Sequence, residues 1–246
     1  MPHLPAWVHR LRPFAVPIWV AIGILLSIGV YQTLTGKPFD SEVINAPNLM
    51  METISHIYIS GISFVLVAAI GVPVGVVIAQ AGRLVRVPVF LIANLGQAIP
   101  GIGLLVLLFA FLGLGVTPTV VALVVYGLLP VLRNTVAGIQ GVDPAAVDAA
   151  RGMGMTRWQA LVRVQTPLAS PLIFAGLRTA LVLIIGTATL GNFIGGGGLG
   201  DVIAAGINNS DRVVFVGAVM VASLALLADW GLSMIERVTV PRTVNG

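Results

Sequence analysis

Six stretches of the chain run almost unbroken in apolar residues: 14–34, 57–79, 88–112, 116–135, 172–193 and 213–234. Each comes close to the roughly 20 residues that a helix needs to cross a bilayer. Lipid offers no partner to backbone N–H and C=O groups, so a span must be a helix or part of a closed barrel. Barrel strands alternate apolar and polar positions over about ten residues, whereas these runs are continuous. The pattern predicts an all-α polytopic membrane protein with about six transmembrane helices. The polar connections are short except for one, between positions 136 and 171.

Composition strengthens this picture. Of 246 residues, 57% are hydrophobic and only 9% charged, against about 25% charged in a typical soluble domain. The mean hydropathy is +1.03. Even a chain of about 250 residues leaves a quarter of its unfolded surface exposed, so a water-soluble fold could not hide this much apolar area. The formal net charge of +4 does not point to nucleic acid, because the basic residues stand singly between apolar runs rather than in a patch. The absence of cysteine excludes disulfides and thiolate chemistry. His3, His9 and His56 have no partner at metal-ligand spacing.

The basic residues also predict orientation. With the N-terminus in the cytoplasm, Arg10, Arg12, Arg83, Arg86, Arg133, Arg151, Arg157, Arg163, Arg178, Arg237 and Arg242 fall on the cytoplasmic side. Only Lys37 and Arg212 fall outside. The first run resembles a signal peptide in its basic flank, but its apolar stretch is too long and no small-x-small cleavage site follows, so it reads as a retained helix. The expected organisation is a cytoplasmic tail over 1–13, a transmembrane domain over 14–236 and a cytoplasmic tail over 237–246.

The long polar connection is well punctuated. Asp143 followed by Pro144 marks a helix start, and an alanine-rich helix is expected over 144–151. Gly152 and Gly154 break it. Thr156 and Gln159 then form a capping box, T-x-x-Q, opening a second helix that is expected to stop before Pro167. Trp158, Leu161 and Val164 recur every three residues, giving an amphipathic piece suited either to the membrane surface or to a partner's groove.

Asp148-Ala149-Ala150, three residues, Gly154, nine residues, then Val164-Gln165-Thr166-Pro167 resembles, spacing for spacing, the EAA loop of ABC-importer permeases. That pattern is Glu-Ala-Ala, three residues, Gly, nine residues, Ile-x-Leu-Pro; Asp for Glu and Val for Ile are mild departures, and Thr166 for Leu weakens the apolar anchor. The stretches 96–100 (GQAIP), 126–135 (YGLLPVLRNT), 150–159 (ARGMGMTRWQ), 186–190 (GTATL) and 196–201 (GGGLGD) extend the likeness to roughly 55–236. They resemble the osmoprotectant permeases, importers of glycine betaine, choline, carnitine and related solutes. The resemblance implies a type I ABC importer permease fold whose cytoplasmic coupling loop, 143–167, docks on an ATPase dimer. It makes Asp148, Ala149, Ala150, Arg151, Gly154, Thr156, Val164 and Pro167 the coupling residues. It also implies a separate extracytoplasmic binding protein and a second permease subunit, the same chain or a paralogue. ATP and Mg would be held by the ATPase, with no cofactor or metal on this chain. The expected setting is the bacterial inner membrane.

Polar residues inside spans are costly and usually face the protein interior. Asn94 and Gln97, three apart, together with Pro100, Thr187 and Thr189, are candidates for a translocation pathway. The alternative for the polar side chains is interhelical hydrogen bonding, worth about 0.6–2 kcal/mol each. Pro100 and Pro130 are candidate kinks. Arg178 and Asp229 sit at matching depths and form a candidate intramembrane pair. Gly195, Gly197 and Gly200 fit G-x-G-x-x-G literally, but a dinucleotide site needs a strand before and a helix after. Here a membrane helix comes first, and the family resemblance makes 195–201 a loop near the external gate. No Walker sequence and no nucleophile–base set occurs, so the chain reads as a transport subunit and not an enzyme. Other readings are an importer of amino acids or other small solutes, an ATP-independent channel or secondary carrier, and a structural subunit. Carriers often show repeats and coupling-ion sites; neither is apparent here, a channel or carrier leaves the loop unexplained, and a structural subunit makes its spacing accidental or vestigial.

Overall fold

In a computed structural model, residues 15–33 and 38–240 are described; His3, His9, Arg10, Arg12, Lys37, Arg242, the 1–13 tail and most of the 237–246 tail lie outside them. The described chain is helical from end to end. Helix α1 is Ala15–Thr33 and α2 the short Pro38–Val43. Helix α3, Ala46–Gln80, has 35 residues, about 52 Å at 1.5 Å per residue, so it exceeds the roughly 30 Å hydrocarbon core. Its start is set locally: Asn45 accepts from the Asn48 N–H at 2.9 Å, and Pro47 occupies the first turn.

The third apolar run is not one straight span. Helix α4, Arg83–Ala98, and α5, Gly101–Leu112, meet at a bend of 99°. Pro100 causes it. Proline disfavours the helical conformation in the residue before it, and Ile99 is extended at φ −69°, ψ 129°. Pro100 then serves as the N-cap of α5, its carbonyl accepting from Leu104 at 2.9 Å. Four described helices are individually long and apolar enough to cross a membrane, and the bent pair makes a fifth. With α1 these account for the six expected runs.

Helix α6, Val116–Gln140, is the centre of the bundle, packed on one side against α3 and on the other against α9, Thr166–Ala188. Gly71 and Gly75, one turn apart on α3, let the two backbones approach. A Cβ at Gly75 would lie 2.7 Å from that of Thr135, and one at Gly71 2.9 Å from Val131. Small residues four apart are how membrane helices pack without a hydrophobic driving force between them. After α9 come a 3-10 turn, Thr189–Ile194, helix α10, Leu199–Ile207, and helix α11, Asp211–Thr239. Helix α11 packs on α9, α10 and α1. In the four long spans only 28–44% of the most apolar window is buried within the chain, so most of that apolar surface is left for lipid or for another subunit.

The second loop helix does not stop before Pro167. Helix α7, Pro144–Gly152, is followed by α8, Arg157–Ala160, a π-helical turn, Leu161–Gln165, and α9 without interruption. The wider turn resolves the conflict with proline. The Thr166 N–H reaches back five residues to the Leu161 carbonyl, and its hydroxyl donates there too, at 2.9 Å. Pro167 then sits in the first turn of α9.

Candidate functional site

Three helix ends converge at one end of the bundle. The Gln80 amide at the end of α3 donates to the Gln165 side chain in the π turn at 2.7 Å. Gln140, at the end of α6, donates to the Ala79 carbonyl at 3.0 Å, which α3 can no longer satisfy as it ends. Between them, Leu161 is buried in a cluster with Val76, Leu132, Val136, Ile139 and Ile173. The loop connecting α6 to α9 is therefore tied to three spans at once.

Each corner of that loop has a local cause. Asp143 caps α7, accepting from the Ala145 N–H at 2.9 Å. Gly154 ends it at φ +87°, with Met155 N–H donating to the Ala150 carbonyl at 3.2 Å and Gly154 N–H to Arg151 at 3.0 Å. These are the paired bonds of a Schellman cap, whose left-handed position favours glycine. The capping box is complete. Gln159 N–H donates to the Thr156 hydroxyl at 3.2 Å, and Thr156 N–H to the Gln159 side chain at 2.9 Å.

The loop has two faces. Ala150, Ala160 and Leu161 are buried, and Val164 and Pro167 half-buried. Asp148, Ala149, Arg151, Gly154 and Thr156 are exposed, beside two large apolar side chains, Met153 at 74% and Trp158 at 61% exposure. Trp158 thus does not share the buried face of Leu161 as its spacing suggests, although both line a recess with Val77 and Gln80.

The polar residues of the third run have bonding partners. Pro130 lies inside unbroken α6 and brings no N–H to the Tyr126 carbonyl. Gln97 donates to that carbonyl instead, at 2.7 Å, and the Tyr126 hydroxyl donates to Ile99 at the bend. Asn94 donates to the Phe90 carbonyl at 2.6 Å and accepts from Arg133. Arg133 is thereby placed beside Asn94, 39 positions away, a pairing with no local signal in the sequence. Thr189 donates to Gly186 at 2.8 Å, and Thr187 is half-buried. Pro100 and the Thr189 turn approach through Leu190, which lies against Gly101, whereas Asn94 pairs on the α4–α6 side.

Arg178 on α9 and Asp229 on α11 are brought together by two parallel bonds, Nε–Oδ1 at 2.7 Å and Nη2–Oδ2 at 2.8 Å. Glu236 joins them, 3.7 Å from Nη1. At the opposite end of the bundle, Glu52 accepts from the Gly198 N–H at 3.0 Å, and Asn192 donates to Asp201 at 2.7 Å. The first bond holds the glycine loop against α3 and the second closes the loop on itself; beside it His56 is fully buried with Nε2 3.0 Å from the Ile185 carbonyl.

Known proteins resemble this chain closely. Residues 71–239 match the family described as binding-protein-dependent transport system inner membrane component. The carnitine transport permease OpuCD of Listeria monocytogenes is 42% identical over 199 residues, covering 80% of this chain and 89% of the relative. The glycine betaine/carnitine/choline transport permease OpuCB of Bacillus subtilis is 40% identical over 207 residues, covering 82% and 93%. The osmoprotectant import permease OsmW of Salmonella typhimurium is 39% identical over 207 residues, covering 82% and 96%. The inward-facing methionine ABC transporter MetNI has the same fold, with a TM-score of 0.71 at 24% identity over 80% of this chain and all of that one. An amino acid ABC transporter matches at a TM-score of 0.64 and 24% identity, over 82% and 99%. From the family match and the three relatives, this chain belongs to the binding-protein-dependent transport system inner membrane components, the permease subunits of ABC importers.

Proposed function

We propose that this permease imports a small osmoprotectant of the quaternary ammonium type, such as glycine betaine, choline or carnitine, by ATP-driven alternating access. A binding protein docks on the outer face and releases solute into a cavity between two permease subunits. An ATPase dimer, which holds ATP and Mg, closes on the cytoplasmic side, and the coupling loop passes that motion to the spans. The N-terminus lies in the cytoplasm, because this places the arginines around the coupling loop on the inner side. Cations of this kind are best held by aromatic cages, and this chain is only 7% aromatic. Cargo selection is therefore assigned chiefly to the binding protein.

The observation that carries this reading is the two-faced loop. Its inner face, Ala150, Ala160 and Leu161, is packed into the bundle, while Asp148, Ala149, Arg151, Met153 and Trp158 face outward. A loop that only connected two spans would have no need to hold Met153 and Trp158 in the open on a rigid double cap. A partner groove that covers them explains both. The cargo class is supported by the relatives' own cargoes.

The test is ATP-dependent uptake of labelled glycine betaine, choline and carnitine into vesicles containing the permease, its ATPase and its binding protein. Wild type is compared with Gly154→Asp that still folds in the membrane. Uptake by wild type that is lost in the variant supports both cargo and coupling. Uptake without ATP, or uptake indifferent to Gly154, overturns the coupling mechanism. Binding-protein-stimulated ATP hydrolysis without uptake of these three solutes keeps the mechanism and overturns the cargo.

A further inference from the structure

Two recesses lie one above the other at the end of the bundle remote from the coupling loop, along the seam of α1, α2, α3 and α11. The outer recess is polar, about 370 Å³, and includes Asp40, Asn209, Asp211 and Arg212 in its lining. The inner one is an apolar slot of about 440 Å³ bounded by Ile24, Ile44, Leu49, Val216, Met220 and Leu227. Helical geometry stacks them. Ile44 follows Asp40 by four residues, its N–H donating to the Asp40 carbonyl at 2.7 Å, and Val216 follows Arg212 by four on α11. Asp40 and Arg212 therefore each have an apolar liner one turn further into the membrane. From Val216 to Leu227 the slot follows α11 for about 16 Å at 1.5 Å per residue, half of a roughly 30 Å hydrocarbon core and so the depth of one leaflet.

Asp40 makes the outer recess more than a wet crevice. It is only 3% exposed. Its Oδ2 lies 3.5 Å from Arg212, while Oδ1 is buried with no hydrogen-bond partner among the described residues. A buried carboxylate oxygen in this condition is costly until an N–H donor reaches it.

We propose that this seam binds one phospholipid with a primary-amine headgroup, phosphatidylethanolamine in type, its ammonium on Asp40 and one acyl chain in the slot. The recess carries both signs, Asp40 and Asp211 negative and Arg212 positive, as a zwitterionic headgroup requires. A choline headgroup has a cation but no N–H to donate, so it cannot hydrogen-bond the Asp40 carboxylate. A glycerol headgroup brings net negative charge to a recess that already holds two carboxylates. The donor requirement and the charge balance together select the amine.

The permease, purified in mild detergent, is offered an equimolar mixture of phosphatidylethanolamine, phosphatidylcholine and phosphatidylglycerol of one acyl composition, and retained lipid is read by native mass spectrometry. Wild type is expected to retain phosphatidylethanolamine about tenfold over the other two, the worth of one charge-assisted hydrogen bond. Asp40→Asn is expected to bring the three lipids to parity. Leu227→Trp, at the exposed far end of the slot, is expected to reduce retention of all three, and it decides the matter if Asp40→Asn does not fold. Parity in wild type, a preference for either other lipid, or wild-type retention of phosphatidylethanolamine by Leu227→Trp would overturn the proposal.

Discussion

The Gln97 side chain donates to the Tyr126 carbonyl at 2.7 Å, and the Tyr126 hydroxyl donates back to the Ile99 carbonyl, two residues beyond Gln97. The exchange joins the bend at Pro100 to the proline inside α6. Pro130 removes the bond that would serve the Tyr126 carbonyl; Gln97 replaces it, and the Tyr126 hydroxyl serves the Ile99 carbonyl at the bend. Replacing Gln97 by Leu should cost about 1–3 kcal/mol, because it leaves a buried carbonyl unpaired. Pro130→Ala supplies the missing N–H, so the double variant should recover most of that loss. Thermal unfolding in detergent checks this, and simple additivity of the two changes would count against it.

The left-handed backbone at Gly154 makes a graded prediction. Nothing lies within 4 Å of a Cβ placed there, so conformation and not space sets the penalty. Gly154→Ala should cost about 1–2 kcal/mol, and Gly154→Asn less, since asparagine tolerates this region better. Uptake in vesicles should fall in that order, Asn retaining more than Ala. Equal loss in both would point to a contact with the partner instead of the cap.

Arg178 faces two acids, Asp229 at 2.7 Å and Glu236 at 3.7 Å, so charge reversal should be asymmetric. Asp229→Arg leaves Glu236 to neutralise one guanidinium. Arg178→Asp puts three carboxylates together, so it should lower the melting temperature more than Asp229→Arg does. The swapped double variant should regain much of the stability lost by either single one. Yield and melting temperature of the four proteins measure this, and a swap no better than Arg178→Asp would reject a direct pairing.

Glu52 holds the glycine loop through the Gly198 N–H at 3.0 Å. Glu52→Ala should speed amide exchange at Gly198 by about tenfold, the equivalent of one charge-assisted bond. Exchange at Met155, at the other end of the bundle, should stay unchanged and serves as the internal control. Unaltered exchange at Gly198 would show that packing against His56 alone fixes the loop.

Much of the molecule was legible in the order of its residues. Long apolar runs announce spans because lipid admits few backbone structures. The Asp143 cap, the Gly154 corner and the Thr156–Gln159 box were readable because their bonds close within a few residues. The loop's spacing was enough to reveal the family. Tertiary structure alone decided the rest. The π turn carries the chain helically through Pro167, the third run folds by 99°, Gln97 serves a carbonyl 29 positions away, and Asp40 is sealed beside Arg212. For the third run and for Gln97 the physical reason is the same. A run that is apolar all round has no polar face to say which way it turns. The partner of each polar group is chosen only when glycines such as Gly71 and Gly75 bring particular helix faces together.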